Sequence, residues 1–478
     1  MSTAILWYRR DLRVHDHPGL HAALRAHECV VPVFLLDPAL LNGRLRSAAR
    51  TDFMLGCLEA LRDELRQRGG DLVIRSGAPE RELVALAGEV GADTAYWTSD
   101  VSPYARSRDR RVTEALGEAG VSASPQGGNY VVDVSKLRTR QGAGYSVFSP
   151  FFAAWRELAR REVHRAPRAL PALPRGLEPG TLPATIRQLP GVAGAPVPDP
   201  IVAPGEAAAR QSSQRWFGEP ITQYAERQNG LAQRGTAQVS PYLRWGCLSA
   251  RELEQRAHDK GGKGAQAWIR QLCWRDFYAH VLLCWPDNLR HEFQRRYRVL
   301  ECDDAPELLA AWQQGQTGYP IVDAAMRQLA QTGWMHNRAR LIVGSFATKD
   351  LHLDWRAGEA WFARLLLDGE PAQNNGNWQW IASVGTDPAP PARRMYNPSL
   401  QAQRFDPDGS YVRTWVPELH SVPGERLLAP WEMTAAQQRD AGCRIGRDYP
   451  EPIVDHHQER RRALQRYRAV GERARAAS

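Results

Sequence analysis

The sequence predicts an α/β plus all-α protein: an N-terminal doubly wound parallel sheet, a long linker, and an all-helical C-terminal domain. Three observations predict it. Over the first 130 residues short apolar runs alternate with longer stretches of helical periodicity. Residues 167–205 carry ten of the 33 prolines and little helical pattern, which suits an extended connector. Beyond about residue 206, helical patterns dominate and strand-like alternation is scarce. A length of 478 residues fits two or three domains of ~100–200 residues. The expected division is 1–130, a linker over 131–205, and 206–478.

Taken in order, 4–8, 30–37, 72–75 and 94–98 read as strands. Their apolar runs are continuous rather than alternating, as expected for strands covered on both faces. Helical stretches near 17–27, 51–68, 79–90 and 103–119 supply the crossovers. No G-x-G-x-x-G or G-x-x-x-x-G-K-[ST] follows the first strand, so an NAD site or a P-loop is unsupported. The tail, 458–478, is rich in Arg and Ala and reads as a solvated helix.

Composition narrows the class further. No run of about 18 apolar residues exists, so no transmembrane helix is expected. The opening Met1 to Tyr8 leads straight into Arg9 and Arg10, without the order of a secretory signal. Seven cysteines with no C-x-x-C argue against a disulfide framework or a zinc module. His15, His17 and His21 read as a turn and a helix, and no metal is expected. The expectation is a cytoplasmic, monomeric protein without a membrane partner. Of the net charge of +9, residues 1–130 contribute −1, so the whole excess lies in the later part, where it attracts a polyanion.

Three segments carry candidate chemistry. In Thr236-Ala237-Gln238-Val239-Ser240-Pro241, Ser240 suits an N-cap and Pro241 the first helical position, so the loop would present N–H groups to a phosphate. In Trp268 to Tyr278, helical spacing puts Gln271, Trp274 and Arg275 on one face. In Asp368 to Trp380, a helix would turn Trp378 and Trp380 ~200° apart, one inward and one toward an opening.

Longer motifs identify the chain with a known family. Trp7-Tyr8-Arg9-Arg10-Asp11-Leu12-Arg13-Val14-His15-Asp16 resembles the opening signature of the photolyase/cryptochrome family. Gly318-Tyr319-Pro320-Ile321-Val322-Asp323, Gly333-Trp334-Met335-His336-Asn337-Arg338, Asp354-Trp355-Arg356 and the Asn374 to Trp380 stretch are similar to later family motifs. The resemblance is strongest to class I cyclobutane pyrimidine dimer DNA photolyases. It implies an antenna domain, a linker and a helical FAD domain, with UV-damaged DNA as partner.

Residue by residue, the resemblance implies that Tyr224 and Thr236, Ala237, Gln238, Val239 and Ser240 hold the FAD phosphates. Arg340 and Asp368 would pair beside the isoalloxazine, Asn374 would face flavin N5, and Glu370 would complete the cofactor set. Gln271, Trp274, Asn337 and Trp380 would surround the flipped dimer, Trp274 and Trp380 by stacking, and photolyases are among the known base-flipping enzymes. Arg338, Arg394 and Leu341 would lie near the damaged strand. Light-excited FADH− would lend an electron, the cyclobutane ring would split, and the electron would return.

Several positions depart from the family pattern. Gln271 stands where a Glu is usual; an amide still donates but cannot ionise, and a lost charge-assisted bond costs about 1.5–3 kcal/mol. Leu341 replaces a Met and loses its polarisable sulfur. A (6-4) photolyase also carries Gln, but its two functional histidines correspond to Asn337 and Leu341, which removes that reading. Trp378 and Trp355 match the first two tryptophans of the electron relay, while Cys302 takes the third position. Either another ring, Trp312 or Tyr297, ends the relay, or photoreduction is poor. Glu370 and Asn377 replace a usual Asp and Gly, and the 388–394 stretch is one residue longer. Tyr104 and Ala105 replace the Asn-Glu pair of folate-binding members, leaving the antenna pigment open between deazaflavin, folate and none. The alternative reading is a cryptochrome-type blue-light receptor with weak or no repair.

Overall fold

The computed structural model describes residues 2–44, 46–189, 197–233, 235–387 and 389–476. Pro388 of the lengthened stretch and residues 190–196 of the connector lie outside them. The chain divides into two compact units. One comprises Met1–Ala225, Ala237–Pro286 and Leu367–Gln373; the other comprises Glu226–Thr236, Asp287–Leu366 and Asn374–Ser478.

In the first unit, strands β1 (Thr3–Tyr8), β2 (Cys29–Leu36), β3 (Val73–Ser76), β4 (Thr94–Thr98) and β5 (Ser122–Gln126) form one parallel sheet. Its order is β3-β2-β1-β4-β5. Ile5 pairs with Val31 on one side and Ala95 on the other. All six residues of β1 are buried, as its unbroken apolar run requires. The sequence reading missed β5, Ser-Ala-Ser-Pro-Gln, because an exposed edge strand needs no apolar run and tolerates Pro125. Helices Pro18–Ala26, Ala48–Gln67, Pro79–Val90 and Pro103–Glu118 make the crossovers.

The turn after β1 is an ion-paired knot. Asp11 accepts from the Arg9 backbone N–H at 2.7 Å and pairs with His17 Nε2 at 3.0 Å. His15 Nδ1 lies 3.2 Å from Glu252, and His21 stacks on His164 at 4.0 Å. His15, His17 and His21 thus each have a side-chain neighbour, Glu252, Asp11 and His164.

Two further helices of this unit matter for the site. Phe148–Glu157 lies within the stretch read as linker, and its Phe148, Phe151, Phe152 and Trp155 follow helical spacing. Gly262–Cys284 runs 23 residues. At its centre the fully buried Asp276 accepts the N–H groups of Val131 and Val132 and the Trp155 indole N–H. Those three donors hold the incoming chain against the helix. Burial still pushes the Asp276 carboxyl up to about 6, against the pull of Trp155 and Arg275.

The second unit is helical around a core that includes Trp312, Met326, Ile342, Phe346, Trp355, Phe362 and Trp378. Phe362 and Trp312 meet Trp378 edge-on at 5.0 and 6.0 Å. The expected solvated tail is instead a docked helix, His456–Ala476. Ala463, Tyr467 and Val470, at i, i+4 and i+7, are buried, and the charged residues from 459 to 472 occupy the remaining faces. His456 reaches Asp350 at 2.5 Å, Glu459 reaches His352 at 2.6 Å, and Arg466 reaches Asp303 at 2.5 Å.

Candidate active site

In the first unit, Gln271 is exposed and Trp274 half-buried on the helix Gly262–Cys284. One face of Trp274 is covered by Phe148, with ring centres 3.7 Å apart and planes 4° from parallel. Arg270 caps the Phe148 ring at 4.6 Å. Phe148 therefore sets the angle of the indole from one face, while Phe277 meets it edge-on at 5.5 Å and Tyr278 lies tilted by 33° at 5.6 Å. Sequence reasoning passed over Phe148 because its aromatic stripe fell in a segment dominated by the linker reading.

Arg275 does not share the presented face with Gln271 and Trp274. It is buried, donating to Asn129 O at 2.5 Å and Leu243 O at 3.2 Å, and lies 3.4 Å from Glu370. Glu370 is the centre of this network. Its Oε1 meets Arg10 at 2.7 Å and the Tyr130 hydroxyl at 3.2 Å, while Oε2 meets Arg275. Burial would raise its carboxyl, but Arg10, Arg275 and Arg244 pull it down to about 2. Both oxygens of Glu370, expected to touch the cofactor, are engaged by protein donors.

The loop expected to hold the phosphates, 236–240, differs from expectation by one position. The helix begins at Ser240 itself, Val239 is the cap, and the element Ser240–Trp245 has only six residues. Gln238 adopts φ +50°, the left-handed turn that brings the loop into the helix. Tyr224 is buried edge-on against Trp216 at 5.7 Å. Arg244, four residues into the helix, donates Nε to Gly369 O at 2.9 Å, and its buried Nη1 has no hydrogen-bond partner among the described residues. Burial and the nearby Arg10 pull this guanidinium down to about 9. Arg50 is likewise lowered to about 10 by burial, with Asp368 acting in the other direction. The buried Arg244 Nη1, without a hydrogen-bond partner among the described residues, suits a cofactor that brings anionic oxygens, so the residues present fit FAD.

In the second unit, the helix Pro371–Ile381 contributes its residues from Asn374 onward. Asn374 donates Nδ2 to Glu359 O at 2.9 Å, which fixes the amide and leaves Oδ1 as its acceptor. Gln379 is fully buried, accepting from the Phe293 N–H at 2.8 Å and donating to Asn288 O at 2.7 Å. Trp378 is buried and Trp380 half-buried, the opposed facing the spacing predicts.

Trp380 is backed as firmly as Trp274, by a cation. The Arg394 guanidinium sits 4.0 Å from the ring centre, donates to Trp380 O at 3.0 Å, and pairs with Asp387 at 2.9 Å. The indole N–H reaches the same Asp387 at 3.3 Å. Arg394 is only 2% exposed, so its expected place at the damaged strand is corrected: a carboxylate, a carbonyl and an indole face compensate its burial. Its neighbour Arg393 is the exposed one. Lys349, buried in the π-turn Phe346–Asp350, donates to Ile381 O and to Arg394 O, tying both ends of this arrangement together.

The helix Asn337–Ser345 is capped by His336, whose Nδ1 accepts the Arg338 N–H at 3.1 Å. Burial, with Arg338 and Arg340, lowers His336 to about 4, so it caps as the neutral ring. Asn337 is exposed and Leu341 half-buried one turn on, along the same side. Arg338 holds Asn229 Oδ1 at 2.7 Å and stacks on Phe405 at 4.6 Å. Arg340 donates to Met335 O at 2.9 Å.

Trp378 and Trp355, the tryptophans expected to form the relay, also lie within the second unit. Trp378 packs on Gly358, where a Cβ would overlap its ring, and Trp355 precedes Gly358 by one turn on the same helix. Gly358→Ala is expected to cost about 1–3 kcal/mol by overpacking, read as a lower thermal midpoint with blue-light photoreduction slowed in parallel. Trp312 is wholly enclosed, so it offers no outlet to solvent. Cys302 is exposed and lines a crevice of about 30 Å³ with Trp355, Glu292 and Tyr467.

Comparison with known proteins places these features. The family described as "DNA photolyase" matches residues 4–174, and "FAD binding domain of DNA photolyase" matches residues 268–469. A deoxyribodipyrimidine photo-lyase of Streptomyces griseus is 40% identical over 474 residues, covering 97% of this chain and 98% of its own. The crystal structure of a class III photolyase from Agrobacterium tumefaciens superposes with a TM-score of 0.90 at 33% identity, covering 99% of this chain and 98% of that one. A Synechocystis cryptochrome follows with a TM-score of 0.88 at 29% identity, covering 97% and 99%. The chain belongs to the photolyase/cryptochrome family of flavoproteins. Its cofactor is FAD, bound in the C-terminal helical part.

Proposed function

We propose that the chain is an FAD-dependent, blue-light-driven lyase that splits cyclobutane pyrimidine dimers in UV-damaged DNA. One observation carries the reading: two half-buried indoles, Trp274 and Trp380, are each held rigid by a partner on one face, Phe148 or Arg394. Rigid aromatic faces are what a base turned out of the duplex stacks upon. When bound, reduced FAD excited by light supplies the electron that opens the cyclobutane ring and receives it back. Tyr224, the 236–240 loop, Arg340, Asp368 and Asn374 hold that cofactor, and Arg244 adds a donor the sequence reading did not name. Gln271 presents an amide to the dimer, Asn337 and Leu341 line the approach, and Arg338 with the exposed Arg393 meets the strand.

The proposed division is an antenna domain over 1–130, a linker over 131–205 and a catalytic domain over 206–478. The protein acts as a cytoplasmic monomer. Among the described residues no helix is long and apolar enough to cross a membrane. The antenna pigment, where one is bound, is a deazaflavin or a folate, and the Tyr104 hydroxyl donates to Asp37.

A second reading, a blue-light receptor with weak repair, is favoured by Gln271, Leu341 and Cys302. Light-dependent repair of dimer-containing oligonucleotides separates the two. Gln271→Glu is expected to raise the repair rate by roughly ten- to a hundredfold, the value of a restored charge-assisted bond. Native repair already at the level of the variant would mean that the amide costs nothing. Absence of repair in both proteins would leave the receptor reading standing.

A further inference from the structure

Trp355 has a proton acceptor of its own. Its indole Nε1 donates to Glu292 Oε1 at 3.2 Å, and both residues are more than nine-tenths buried. The same Oε1 accepts from Arg356 at 2.9 Å, and the Arg356 guanidinium lies 4.6 Å from the centre of the Trp355 ring. A positive hole on this indole therefore has a cation over its face and a carboxylate at its N–H. The cation disfavours the radical cation, and the carboxylate offers the route to a neutral radical, because an oxidised indole is a far stronger acid than a neutral one. Asp354, 3.1 Å from Arg356, keeps that guanidinium paired once Glu292 takes a proton. At the third relay position Cys302 provides no ring to carry the hole onward.

We infer that Glu292 is the base that ends the electron relay at Trp355. The inference rests on the reading of Trp378 and Trp355 as a relay toward photoexcited oxidised FAD. One electron leaves Trp378 for the flavin, and one electron from Trp355 refills Trp378. The Nε1 proton of Trp355 passes to Glu292 Oε1, leaving a neutral indolyl radical and a neutral carboxylic acid. An external thiol, in its thiolate form, later returns one electron and becomes a thiyl radical, and Glu292 returns the proton. Trp355 lines the same crevice as the exposed Cys302, where a thiol at the surface can return the electron.

Flash photolysis of the FAD-loaded full chain with added thiol tests this through the spectrum of the long-lived radical as well as through the photoreduction yield. The native chain is expected to show a neutral tryptophanyl radical whose appearance slows in D2O. In Glu292→Gln, whose amide accepts the indole N–H but takes no proton, the radical stays cationic and recombines, and the yield falls at least about tenfold. Glu292→Asp, which keeps a base, recovers part of the yield; a normal flavin spectrum certifies that either variant is folded. An unchanged neutral radical in Glu292→Gln, with Trp355→Phe inactive, overturns the role of Glu292 and leaves the relay intact. Full photoreduction in Trp355→Phe overturns the relay reading and this inference with it. A tyrosyl signal that disappears in Tyr467→Phe shows that the hole travels past Trp355, and also overturns it.

Discussion

Glu370→Ala is expected to lower the stability of the first unit by about 3–5 kcal/mol, the usual cost of removing one partner from a buried ion pair. Arg10 retains Asp100 at 2.9 Å, but Arg275 loses its carboxylate, and the Tyr130 hydroxyl loses its acceptor. The effect depends on pH with a definite sign. A carboxyl held at about 2 in the folded chain, against about 4.3 when unfolded, stabilises the fold fully above the unfolded value. That contribution, about 3 kcal/mol, is lost as pH falls from about 4.5 toward 2. Urea midpoints of the native chain should therefore drop across this window, and those of Glu370→Gln should drop less. Equal acid sensitivity in both chains would show that the buried carboxylate is not what fails in acid.

Trp274→Ala and Trp380→Ala should each weaken binding to dimer-containing DNA by about 1–3 kcal/mol, the value of a base–aromatic stack. Affinity for undamaged duplex should change little, since phosphate contacts supply that binding. The supporting residues should matter in proportion to how they hold the rings. Arg394→Met keeps bulk under Trp380 but loses the bond to Asp387 and the cation over the indole, and should cost part of what Trp380→Ala costs. Phe148→Leu should act in the same way on Trp274. Filter-binding or fluorescence titration at one fixed salt concentration reads all four variants. Equal losses on damaged and undamaged DNA would assign these indoles to general DNA binding rather than to the lesion.

Where sequence and structure part, the cause is identifiable residue by residue. The strands 4–8, 30–37, 72–75 and 94–98 were legible because each buries a continuous apolar run; β5, with Ser and Pro at the sheet edge, carries no such signal. The opposed facing of Trp378 and Trp380 follows from helical geometry alone. The start of the helix at Ser240 shifted by one residue, within the ambiguity of any helix end. Arg394 and Arg393 look interchangeable in sequence, yet one is buried on Trp380 and the other exposed. Glu370 looked like a cofactor ligand from its motif and proved to be bound by Arg10 and Arg275, 360 and 95 positions away in the chain.

By itself, then, the amino-acid order determined the alternation of strands and helices, the proline-rich connector, the family, and the residue types available for flavin and damaged DNA. All of these are written in local periodicity and short motifs. Only the tertiary structure decided which side chain backs each indole, which carboxylate is consumed by arginines, and which one waits at the Trp355 N–H. Those choices depend on distances of a few ångströms between residues far apart in the chain, and no local pattern encodes them.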